Sequence, residues 1–225
     1  LYLRELEHVS ILDYEGRILR EAVKYLSPKN LFEAGTNNGY ATGWILAGIE
    51  ESNESKGVFY SCDPRRFPDI RNFPERYRTD SYRPRNFLFV KESSLNFFAR
   101  NYDKKFDFAF LDGDHRKQIV FEELYRLGVC RVGNNCIVFL HDVRPSLIVE
   151  EKQPFWGLMD YIEKNCDSKY NLFNLIFPGS LATNLDIGRI KKIMENSNLG
   201  FDIGIVPLGG ALEWLGYQRE SLQEI

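Results

Sequence analysis

Much of the narrowing comes from what this chain has little of. Its four cysteines, Cys62, Cys130, Cys136 and Cys166, show no CxxC spacing and no dense framework. That pattern excludes a disulfide-stapled scaffold and reads as reduced thiols. No uninterrupted apolar run approaches the ~20 residues that a membrane-spanning helix needs. There is no excess of positive charge: 29 Lys and Arg against 32 Asp and Glu leave a net charge of −3, which gives no general reason to expect nucleic-acid binding. No signal peptide is recognisable, so a cytoplasmic setting without membrane or nucleic-acid partners is the expectation. Internal repeats and low-complexity linkers are also missing. The hydrophobic and charged fractions, 44% and 27% of 225 residues, are those of a globular protein long enough for a substantial core. One domain over residues 1–225 is expected, with residues 1–30 as an N-terminal helical cap.

What the chain does contain is a series of short apolar runs that end in acids. Leu31-Phe-Glu-Ala34, Val58 to Asp63, Asn86 to Lys91, Phe106 to Asp112 and Cys136 to His141 read as strands buried on both faces. Helical spacing falls between them, over 14–26, 40–49, from Leu95 to Phe98 and over 118–128. Beyond residue 150 the pattern is softer, with helices over 155–165 and 187–196 and strands over 171–177 and 201–206. The alternation predicts a doubly wound, mostly parallel, seven-stranded α/β sheet with helices on both faces. In such a sheet ligands bind beyond the carboxyl ends of the strands. There the sequence concentrates Asp112, Asp114, His115, His141 and Asp142. Paired strands lie roughly 4.8 Å apart, and carboxylates that close repel unless a cation compensates them.

Glu33-Ala-Gly-Thr-Asn-Asn-Gly39 lies between the first strand and a helix. Gly35 permits a tight turn, and Gly39 permits close backbone approach to a ligand over the helix start. The dinucleotide fingerprint is not met, because Thr36 and Asn37 occupy the place of its second glycine, and there is no G-K-[ST] phosphate cradle. Asp63 stands where a βαβ nucleotide site holds ribose hydroxyls. Glu33 suits a cationic group better than a pyrophosphate. A ribose, a positive centre and no phosphate together point to S-adenosylmethionine. Between the second and third strands, residues 64–85 carry four prolines and seven arginines, a composition that disfavours helix and predicts a long ordered loop. It reads either as a solvated surface or as a lid near the nucleotide end.

These motifs, in this order, resemble those of class I S-adenosylmethionine-dependent methyltransferases. Within that class they look most like the metal-dependent O-methyltransferase group of macrocin-type sugar methyltransferases and cephalosporin-hydroxylase-like proteins. The resemblance covers about residues 30–145. It implies a Rossmann-like methyltransferase fold, with Glu33, Gly35, Thr36, Asn37 and Gly39 around the methionine part of the cofactor. Asp63 would take the ribose hydroxyls, Ser93 and Ser94 would border the adenine, and Asp112 would stand with the same group. It also implies a divalent metal on Asp112, His141 and Asp142, with Asp114 as general base; His115, read from its place in the acidic run, joins Asp114 as a catalytic candidate. His141 departs from the pattern, since relatives with a magnesium site carry an acid or amide there. Mg²⁺ fits the relatives, and a set containing histidine suits Mn²⁺, Fe²⁺ or Zn²⁺ better.

Blander readings stand beside these. Asp112 could cap the following helix, His115 could be a capping residue, and His141 could be a buried histidine bonded to backbone. Phe87, Phe89, Phe106, Phe108, Phe110 and Phe139 read as core. The activity implied is methyl transfer to a hydroxyl of a small acceptor: a sugar, a catechol-like phenol or a natural-product scaffold. Two rivals remain. One is a metal-dependent oxygenase, hydroxylase or hydrolase on the same scaffold, since Asp112, His115 and His141 offer a two-histidine, one-carboxylate set. The other is a non-catalytic S-adenosylmethionine-binding protein. A homo-oligomer is compatible with either.

Overall fold

The structure, a computed structural model, describes residues 11, 13–52, 57–65, 67–75, 86–129, 136–142, 154–165 and 203–207. The chain alternates α1 (Asp13–Leu26), β1 (Asn30–Ala34), α2 (Tyr40–Glu51), β2 (Val58–Cys62), β3 (Phe87–Val90), α3 (Ser94–Arg100), β4 (Phe108–Leu111), α4 (Lys117–Val129), β5 (Cys136–Leu140), α5 (Pro154–Asn165) and β6 (Ile203–Pro207). The strands form one sheet in the order β3-β2-β1-β4-β5-β6, every pairing parallel. Six strands are thus described where seven were expected. The strand expected over 171–177 and the helix over 187–196 lie outside the described residues, as do Cys130, Cys166 and half of the Arg/Pro-rich loop. Among the described residues, no helix is long and apolar enough to cross a membrane.

Strand parity assigns each side chain to one face, because successive residues point to opposite sides. Leu31, Phe59, Phe108, Phe110, Ile137 and Phe139 pack with α1 and α2 in one core. Phe32, Ala34, Cys62, Ala109, Leu111, Val138 and Leu140 pack with α3, α4 and α5 in the other. Both faces are covered, as a parallel sheet requires. Phe106, Phe108, Phe110 and Phe139 are fully buried. Phe87 and Phe89, on edge strand β3, are only half-buried.

The same parity places the site. Continuing one residue past Leu111 and Leu140, Asp112 and His141 return to the face of Phe110 and Phe139, the side covered by α1. Leu111 pairs with Leu140, so the two residues emerge side by side. Glu33 pairs with Ser61 on β2 and faces the same way, toward α2. β1 lies at the centre of the sheet, where the strand order reverses between β2 and β4, the crevice in which doubly wound folds bind ligands.

Candidate functional site

The turn after β1 is built on two left-handed glycines. Gly35 has φ 89° and Gly39 has φ 83°, conformations that cost a side chain about 1–2 kcal/mol. At Gly35 the space is closed as well, since a Cβ would lie 2.2 Å from the Asp112 carbonyl oxygen. The glycine turn and the β4 strand end are therefore in direct backbone contact. Asn37, at φ 46°, donates its N–H to Asp63 Oδ2 at 2.8 Å, and Arg65 N–H reaches Asp63 Oδ1 at 2.7 Å. Asp63 is buried and fixed across the mouth of the turn. The described part of the Arg/Pro-rich loop is stitched to it: Asp69 N–H and the Asn72 side-chain amide both donate to the Asn38 carbonyl at 2.8 Å.

Behind the turn, Glu33 is fully buried. Its Oε2 accepts from Thr42 at 2.7 Å and from Ser61 at 2.5 Å. A hydroxyl has one proton, so Ser61, having given its own to Glu33, accepts from Thr36 at 2.5 Å. Glu33 Oε1 has no hydrogen-bond partner. Burial pushes the carboxyl up to about 7, against the two hydroxyls that favour the charged form.

Ser93 and Ser94 take different roles in the structure. Ser93 is the N-cap of α3, accepting the Asn96 N–H at 3.3 Å. The Ser94 hydroxyl donates to Glu123 Oε1 at 2.5 Å. Glu123, buried on α4, is raised to about 7 by that burial.

At the ends of β4 and β5 the structure brings Asp112, His115, His141 and Asp142 together. Asp112 does not cap α4, which begins only at Lys117. One donor atom from each of Asp112, His115 and Asp142 lies within 4.8 Å of the others. Both histidines approach the same two carboxylate oxygens, Asp112 Oδ1 and Asp142 Oδ2. His115, on the open side, places Nε2 3.3 Å from Asp112 Oδ1 and Nδ1 3.7 Å from Asp142 Oδ2. The neighbouring Asp112 raises its proton affinity against the effect of burial. His141, on the closed side, has a side chain only 6% exposed, with Nδ1 3.0 Å from Asp112 Oδ1 and 3.6 Å from Asp142 Oδ2. That nitrogen is not aligned for a hydrogen bond to either acid and has no hydrogen-bond partner. Its Nε2 faces Glu15 Oε2 at 3.3 Å. Burial opposes protonation of His141, but the carboxylates of Asp112, Asp142 and Glu15 outweigh it and push the ring up to about 12. Asp142 is held at φ 53°.

Asp114 stands apart from this group, in a two-pronged ion pair with Arg116 at 2.6–3.0 Å. The guanidinium holds its carboxyl below the usual range. Glu15 was not among the residues expected from the sequence. Its signal was there: it occupies the apolar stripe of Ile11, Ile18, Leu19, Ala22 and Val23, where an acid is costly unless something pairs with it.

Residues 32–143, which contain all of these groups except Glu15, match the sequence profile of a methyltransferase-domain family. No curated protein matches the chain. Among solved structures, a Klebsiella pneumoniae protein assigned as an O-methyltransferase shares 16% identity over 71% of each chain, with a TM-score of 0.54. The O-methyltransferase from Bacillus cereus, solved in complex with SAH, shares 19% over 70% of each chain, with a TM-score of 0.53. At these identities the likeness shows the fold.

Proposed function

We propose, on the premise that residues 32–143 form a methyltransferase domain, that this chain moves the methyl group of S-adenosylmethionine to a hydroxyl oxygen of a small acceptor. The observation that carries the reading is the contact between Gly35 and the Asp112 backbone. It sets a glycine turn backed by a buried carboxylate against a cluster of acids and histidines in one crevice. Asp63 supplies the acid for ribose hydroxyls, and Glu33 supplies negative charge behind the turn for a cationic ligand group.

The donor set fits a divalent cation held by Asp112, Asp142 and His141. The supporting observation is the buried Nδ1 of His141, which lies against both carboxylates without an aligned hydrogen bond to either. An imidazole nitrogen beside two carboxylates suits Mn²⁺, Fe²⁺ or Zn²⁺ better than Mg²⁺. When bound, such an ion supplies Lewis acidity toward an acceptor hydroxyl.

The chain's own part in the chemistry is alignment and proton movement. In the displacement the acceptor oxygen bonds to the methyl carbon as the carbon–sulfur bond breaks, and the hydroxyl proton passes to a base. Two groups compete for it. Arg116 makes Asp114 a weak proton acceptor, whereas Asp112 makes His115 a stronger one. His115 is also the one placed against the cluster, so it is assigned the proton, and Asp114 anchors Arg116 at the rim.

A second reading is favoured by the same His115 geometry: an Asp-backed imidazole can serve as base without any cation. Titration calorimetry with S-adenosylhomocysteine and Mn²⁺ separates the possibilities. Saturable binding of both supports the cation-assisted enzyme, and nucleoside binding alone supports the second reading. Iron binding with no nucleoside binding would sink the methyltransferase proposal and favour an oxygenase.

A further inference from the structure

The N-terminal helix contributes an acid to the β4–β5 strand ends, and no step described so far uses it. Glu15 is 1% exposed, and its Oε2 lies 3.3 Å from His141 Nε2 across 126 positions of sequence. The helix is firmly seated for this. Gly16, the next residue, lies against the Trp44 indole so closely that a Cβ there would stand 2.3 Å from the ring. The Tyr40 hydroxyl on α2 donates to Asp13, at the start of the helix. Ile18, Leu19, Ala22 and Val23 bury the rest of the stripe.

An imidazole has two nitrogens, and fixing the hydrogen on one determines what the other can do. With Nε2–H given to Glu15, Nδ1 is the nitrogen left to give up its hydrogen and offer a lone pair when a cation binds. That atom is the one found buried, with no aligned hydrogen bond, 3.0 Å from Asp112 Oδ1 and 3.6 Å from Asp142 Oδ2. A carboxylate on the far nitrogen of a ligating histidine sets its tautomer and ring orientation, and its loss costs about 10- to 100-fold in metal affinity. We propose that Glu15 is a positioning residue: by accepting the Nε2–H of His141 it holds the ring with Nδ1 toward the Asp112–Asp142 pair, so that α1 completes the cation site. This rests on the cation-assisted reading above.

The test uses the full chain and two substitutions. Glu15→Leu suits the apolar stripe and removes the acceptor, and Glu15→Gln keeps an oxygen that can accept the same hydrogen. Mn²⁺ affinity is followed by electron paramagnetic resonance, with S-adenosylhomocysteine binding and thermal melting alongside. E15L is expected to bind Mn²⁺ about 10- to 100-fold more weakly, with nucleoside binding and melting retained, while E15Q stays within about threefold of the parent. An E15L affinity within about twofold of the parent overturns the proposal. So does an E15Q loss as large as that of E15L, because the carboxylate's charge rather than its hydrogen bond would then be acting.

A readout free of metal separates this proposal from the cation reading. In ¹⁵N-labelled protein, the His141 ring signals should show hydrogen on Nε2 in the parent and in E15Q, and should shift in E15L. Should the parent bind no Mn²⁺, the cation reading fails by itself. The Glu15 contact then stands if the ring signals move in E15L and falls if they do not.

Discussion

Replacing Glu33 by glutamine should remove a pH-dependent loss of stability whose size follows from the surroundings of the carboxyl. That group is fully buried, and its proton affinity rises from 4.5 to about 7. Between those values the folded chain keeps a proton that the unfolded chain has released. Unfolding free energy therefore falls with rising pH by about 1.4 kcal/mol per pH step. Across the window the loss is about 3 kcal/mol. Stability from this group is full below the unfolded value and gone above the folded one. A glutamine has nothing to ionise, so relative to the parent the E33Q protein should gain about 3 kcal/mol between pH 4.5 and 7 and then hold level. Glu123 shifts in the same direction for the same reason, but it is present in both proteins and cancels in the difference. Urea melts of dialysed, ligand-free protein across this pH range provide the assay. A difference that does not change with pH would refute the reasoning, because Glu33 would then be charged throughout the range in the folded state.

Other consequences can be checked directly. Gly35→Ala combines a left-handed φ with a 2.2 Å clash against backbone, whereas a Cβ at Gly113 would meet nothing nearer than 3.3 Å. G35A should lose about 2–5 kcal/mol in a urea melt and G113A less than about 1 kcal/mol, and equal losses would contradict the geometry. His115→Asn should lower kcat about 10²- to 10⁴-fold with S-adenosylhomocysteine affinity retained. Asp114→Asn should cost much less, and the opposite ranking would return the proton to Asp114. Burial and the acids Glu92, Glu33 and Glu123 push the Cys62 thiol far above its ordinary range. It should resist iodoacetamide at about pH 8 in the native protein and be labelled only after unfolding, as read by peptide mapping.

The sequence made the sheet legible because a strand buried on both faces must be apolar at every position. Phe108–Leu111 and Cys136–Leu140 meet that condition without exception, and their acidic endings marked where the crevice would open. Parity then places Asp112 and His141 on one face before any contact is seen. Three things could not be read that way. Ser94 follows a strand, and nothing local says that its hydroxyl goes to Glu123, buried in a helix 29 positions on. Asp114 lies in the same acidic run as Asp112, yet Arg116 two residues later draws it into an ion pair at the rim. Glu15 lay hidden inside a helical stripe whose other members are apolar, and its partner is fixed only by how α1 crosses the sheet. Local pattern determined the strands, and long-range packing determined which acid meets which base.

The span from Glu15 to His141 also has a consequence for how the protein is made. Glu15 belongs to the first helix of the described chain, and the ring that receives it is added 126 residues later. Closing a loop of that size costs on the order of 4 kcal/mol in chain entropy. The helix therefore gains this contact only after β5 has joined the sheet. A nascent chain ending before β5 carries the glycine turn and Asp63, yet it lacks both His141 and Asp142. The acids and histidines of the crevice thus come together only once β5 is in place.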